Sequence, residues 1–78
     1  MLEIVGFIIN IKEELRDNAL KALKDMSHVS IYGARNNQIV LLTDTDEVGI
    51  LAKKIKEIQA INGVVDVYPI FSRDSIPF

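Results

Sequence analysis

The hydrophobic period of this chain switches from two residues to 3.6 and back, twice within 78 residues, and few folds accept that order. Residues 3–11 alternate as a strand, with Phe7, Ile9 and Ile11 on one face and Ile8 on the other beside Gly6 and Asn10. "KEELRDNALKALKDM" takes a helical period: Leu15, Ala19, Ala22, Leu23 and Met26 form one apolar stripe on an otherwise charged helix. "HVSIY" alternates again, "GARNN" supplies residues that tolerate a tight hairpin, and "QIVLLT" is the returning strand. "DTDE" sets Asp44 three residues before Glu47, the spacing of a capping box, and Val48, Leu51, Ala52, Ile55 and Ile58 build a second stripe. Asn62 and Gly63 end that helix, "VVDVYPIF" is the last strand, and residues 72–78, "SRDSIPF", read as a short flexible tail.

The order is therefore β-α-β-β-α-β, the split βαβ or ferredoxin-like arrangement of the α+β class, with a four-stranded antiparallel sheet and two helices on one face. Right-handed crossovers that each skip one strand position put strands one and three in the centre and strands two and four at the edges. Pro69 agrees, because proline cannot donate to a ladder and belongs on an edge. No linker, repeat or low-complexity segment interrupts residues 1–78, which read as a single domain.

Two helices on one face leave the other uncovered. The covered face is expected to hold Val5, Phe7, Ile9, Val29, Ile31, Val65, Val67 and Phe71. The open face then carries Ile8, Asn10, His28, Ser30, Tyr32, Asp66, Tyr68 and Ile70. Strand three is equally apolar on both sides, Ile39 with Leu41 or Val40 with Leu42, and Ile39 and Leu41 complete the candidate surface. An aliphatic and aromatic patch edged by polar groups fits a surface buried by a partner or a second copy; tolerated apolar surface is the plain alternative.

Composition narrows what such a surface does. Hydrophobic residues are 49% of the chain and charged residues 26%, a globular balance that argues against disorder. Cysteine is absent, which removes disulfides, thiolate nucleophiles and cysteine-ligated metals. His28 is the single histidine; it reads as an edge-strand surface residue, since a general base needs a convergent partner. No metal or cofactor is expected, and a net charge of −2 offers no basic face for nucleic acid. Lys53, Lys54 and Lys56 read as a solvated helix face, and Asp44, Asp46 and Glu47 as charges that favour a helix N-terminus. "GARNN" has one glycine and sits between strands, so it is no phosphate loop. No stretch is apolar enough to span a membrane, and "MLEIVGF" lacks the positive start of a signal peptide, so a cytoplasmic location is expected.

The apolar "GFIINIK" opening and the helix running into the last strand through "AKKIKEIQAINGVVDVYPIF" resemble the NapD family, most closely at "INGVVDVYPIF". The chain departs from the family pattern where "MSHVS" replaces a Pro-Gly turn and where Phe71 and Ser72 replace a Tyr-His pair. The resemblance implies a cytoplasmic chaperone for the periplasmic nitrate reductase or a related exported oxidoreductase. Such a chaperone binds the enzyme's twin-arginine signal peptide and delays export until the cofactor is inserted. The apolar part of the peptide would lie on Ile8, Tyr32, Tyr68 and Ile70, and Asp66 would receive a guanidinium. The free chain would self-associate weakly through the same face. Two other readings share the topology: a regulatory or dimerisation domain of the ACT or RAM kind binding a small effector, and an acylphosphatase-like enzyme. The latter needs a glycine-bearing phosphate cradle after strand one, where only Arg16 lies close, inside the helix.

Overall fold

The computed structural model describes residues 3–78; Met1 and Leu2, the start of the stretch read for a leader, lie outside the described residues. In chain order the elements are β1 (Gly6–Ile11), a 3-10 turn (Glu13–Leu15), α1 (Arg16–Lys24), β2 (Val29–Arg35), β3 (Gln38–Thr43), α2 (Val48–Gln59), β4 (Val64–Ile70) and a second 3-10 turn (Arg73–Ser75). The sheet order is β2-β3-β1-β4, with every neighbouring pair antiparallel. This is the expected ferredoxin-like α+β architecture, with β1 and β3 central and Pro69 on the edge strand β4.

Both helices press on one face. Phe7, Ile9 and Ile11 of β1 and Ile39 and Leu41 of β3 form a continuous buried core with Ala19 and Leu23 of α1 and Leu51 and Ile58 of α2. Each large side chain so buried contributes about 1.5–3 kcal/mol relative to leaving it in water. Of the two pairs that the sequence pattern leaves equal, Ile39 and Leu41 therefore lie under the helices and not on the candidate surface; their parity is set by pairing with Ile9 and Phe7.

The second helix is rotated relative to the stripe read from sequence. Val48 is 79% exposed and Ala52 is also exposed, while Leu51, Lys54, Ile55 and Ile58 turn to the sheet at the spacing of one helix face. Lys54 is thus buried, not part of a solvated face: its stem packs inward and its Nζ donates to Ser27 Oγ at 3.1 Å and Glu57 Oε2 at 3.2 Å. The capping box does not form either. Glu47 is the N-cap without a side-chain bond; its backbone N–H instead donates to Thr45 Oγ1. Asp44 is held elsewhere, its N–H donating to the His28 carbonyl at 3.1 Å.

Two bulges shift side chains across the sheet. Ile31 pairs with Leu41 but Gly33 with Val40, which leaves Tyr32 as an extra residue in β2. Asn10 pairs with Asp66 but Ile11 with Val64, which leaves Val65 extra in β4. Val65 is accordingly 59% exposed, and Phe71, just past the end of β4, is 48% exposed; neither joins the covered face.

The α2-to-β4 turn depends on Gly63, whose φ of +101° is open to few other residues. A Cβ there would lie 2.6 Å from Leu15 Cβ, and the Gly63 carbonyl accepts a 2.8 Å bond from Lys12 N–H that ties the turn to the end of β1. Gly63→Ala should lower the unfolding free energy by about 1–3 kcal/mol in urea titration. Gly49→Ala, on α2 with nothing within 4 Å of the new methyl, should raise it by about 0.5–1 kcal/mol.

Candidate functional site

On the helix-free side the register lines up side chains from all four strands in three rows. The middle row reads Gly33, Val40, Ile8, Tyr68 across β2, β3, β1 and β4. One side of it carries a polar row, Arg35, Gln38, Asn10 and Asp66; the other side reads Ser30, Leu42, Gly6 and Ile70. Directly opposed residues in such rows touch, so Ile8 and Tyr68 form one apolar unit and Asn10 with Gln38 one polar unit, joined by a 3.3 Å bond from Gln38 Nε2 to Asn10 Oδ1.

Of the residues expected on this surface, Ile8, Asn10, Ser30, Asp66, Tyr68 and Ile70 share the helix-free side. Tyr32 sits in the β2 bulge, half exposed. His28 precedes β2 in a left-handed conformation, φ 67°, with Nδ1 3.0 Å from Asp44 Oδ1. Val40 and Leu42, the other pair that the sequence offers for strand three, take the places given to Ile39 and Leu41. All four are aliphatic, so only the pairing of β3 with β1 could have told them apart.

The face is not uniformly open. Tyr68 is 51% exposed and Ile8 half-buried, yet Val40 and Ile70 have essentially no exposed surface although they point away from the helices. The chain after β4 reaches the Val40 end of this face. Arg73 borders a cavity of about 490 Å³ at the end of the sheet with Glu3, Val5, Thr43, Asp44 and Asp46. It also borders a neighbouring one of about 220 Å³ with His28, Ser30 and Leu42. Phe78 then lies on Gly33, so close that a Cβ at Gly33 would fall 2.7 Å from the ring, and the Arg35 guanidinium stands 4.6 Å from the centre of that ring. Residues 72–78 thus lie along the β2–β3 half of the face, and the Ile8–Tyr68 half stays accessible.

The chemistry this arrangement supports is recognition. Apolar area is flanked by carboxylates at both ends, Asp66 in the polar row and Asp44 with Asp46 at the rim. Among the described residues no group of three or more His, Cys, Asp or Glu side chains is placed to hold a metal ion, and no helix is long and apolar enough to cross a membrane.

A comparison with protein families matches the NapD protein family over residues 2–75, nearly the whole chain. Neither curated proteins nor solved structures give a match.

The His28–Asp44 pair is exposed at both ends, so its attraction is screened and side-chain ordering offsets much of it. Asp44→Asn should lower stability by no more than about 1 kcal/mol in urea titration, which leaves the variant folded for binding measurements.

Proposed function

This chain belongs to the NapD family, a family of nitrate reductase maturation chaperones, and on that premise we propose that its helix-free sheet face binds the enzyme's twin-arginine signal peptide. The client is the periplasmic nitrate reductase or a related exported oxidoreductase, and binding in the cytoplasm delays export until the cofactor is in place. The protein acts as a binder without chemistry of its own.

The observation that carries this reading is the Ile8–Tyr68 pair, an apolar unit exposed on the side away from the helices with carboxylates on either side of it. A signal peptide joins an arginine-bearing segment to an apolar one. Its apolar part covers Ile8 and Tyr68 and removes that area from water, while a guanidinium pairs with Asp66 or with the Asp44–Asp46 rim. The competing geometry is strand addition along the free edge of β2 or β4, where main-chain hydrogen bonds dominate and face side chains matter little.

Calorimetry with a synthetic twin-arginine peptide separates the two. Tyr68→Ala should weaken binding by about 1–3 kcal/mol with little loss of stability, because the ring lies outside the helix-covered core. Ile8→Ser should weaken it as well, and Asp66→Lys should mainly slow association. Unchanged affinity in both Tyr68→Ala and Ile8→Ser would rule out the face and leave the edge. Sedimentation should show weak dimers of the free protein that dissolve under saturating peptide, since both use the same apolar area.

A further inference from the structure

Residues 72–78 repeat, within the chain, the chemistry that the signal-peptide reading requires of the ligand. Arg73 comes first, bordering the same cavity as Asp44 and Asp46; Ile76 and Phe78 come after it, with Phe78 in the middle apolar row. From this juxtaposition we infer that the segment is an internal competitor: it occupies the β2–β3 half of the binding face and an incoming peptide displaces it. This rests on the signal-peptide reading and adds to it a direction, with the ligand's arginine at the Asp44 rim and its apolar residues over Gly33, Val40 and Ile8.

Three features fit a displaceable strap better than a permanent part of the core. Among the described residues its own polar bonds are internal: Ser75 N–H to the Ser72 carbonyl, Ile76 N–H to the Arg73 carbonyl, and Asp74 N–H to Ser72 Oγ. The segment adds no strand to the sheet, and is held by side-chain contacts alone, the kind of element that opens at low free-energy cost. Its seat is also shaped for it. Gly33 lacks the side chain that would fill the β2 end of the middle row, and the ring of Phe78 takes that place under Arg35. Where the strap leaves, Val40 becomes available, joining Ile8 and Tyr68 into one apolar surface across the three strands β3, β1 and β4. The closed form hides that surface when no client is present, which limits sticking to other chains.

A ligand that must first open a mostly closed site binds more weakly by the fraction of molecules open. A chain ended after Ser72 should therefore bind a synthetic twin-arginine peptide about tenfold more tightly than the full chain, and Phe78→Ala should shift affinity in the same direction by a smaller factor. In the full chain, the backbone amide resonances of residues 73–76 and of Phe78 should move to random-coil positions as the peptide saturates. A synthetic peptide of residues 72–78, added to the shortened chain, should shift the Gly33 and Arg35 amides and compete with the twin-arginine peptide. Equal affinity of the full chain, the shortened chain and Phe78→Ala, with residues 73–78 unmoved in the complex, overturns the competitor while leaving signal-peptide binding intact. Binding to none of them overturns the signal-peptide reading, and the competition with it.

Discussion

Two helices of nine and twelve residues bury one face of a four-stranded sheet, and the rest of this structure depends on that one-sided coverage. Both β-α-β crossovers deliver their helices to the same side, where Ala19, Leu23, Leu51 and Ile58 close over Phe7, Ile9, Ile11, Ile39 and Leu41. The opposite face cannot be covered from the same material. Central strands in so small a domain are apolar on both sides, so the uncovered side carries Ile8, Val40, Leu42, Tyr68 and Ile70 whether or not a ligand is near. A sheet of this kind either takes up a partner or leaves apolar surface in water.

The chain's own solution is partial. The segment after β4 passes the rim at Asp44 and ends on Gly33, burying Val40 and leaving Tyr68 half exposed. The covered half and the accessible half differ in one respect: one is closed by a short stretch without a sheet bond, the other is open to water. In the proposed complex, a peptide that first lands on Ile8 and Tyr68 has neighbouring apolar area to gain by moving the strap. A rigid, fully covered face would offer no such foothold, and a bare one would attract unrelated apolar chains. The buried Lys54, anchored by Ser27 and Glu57, belongs to the opposite side of the molecule and to the fit of α2 on the sheet.

The fold was legible because hydrophobic period is a local property. Phe7, Ile9 and Ile11 announce one buried face without any knowledge of what covers it, and Ala19 with Leu23 announce another. The face also emerged by counting elements: two helices cannot wrap two sides. Individual faces were less legible where backbone pairing departs from strict alternation. One extra residue at Tyr32 and another at Val65 reset the parity of the strand residues beyond them, and neither position carries a residue type that signals a bulge. The stripe on α2 misled for a related reason, since a helix with apolar residues at Val48 and Ala52 as well as Leu51 and Ile58 admits two rotations. The sheet selects the one that buries Leu51, Ile55 and Ile58 and brings Lys54 to Ser27.

The sequence by itself determined the order of elements, the sheet with β1 and β3 at its centre, and the existence of an apolar surface beyond the helices. Each of these derives from periodicity, chain length and the handedness of crossovers, which need no long-range contact to be read. Only the tertiary structure decided that Val40 and Leu42, rather than Ile39 and Leu41, face that surface, because four aliphatic residues in a row are indistinguishable until β3 takes its register against β1. It alone decided, too, where residues 72–78 lie. Nothing in "SRDSIPF" names its seat, which exists only when Gly33, Arg35 and Val40 are brought together from β2 and β3, so that an absent side chain in one strand becomes the place for a ring forty-five positions later.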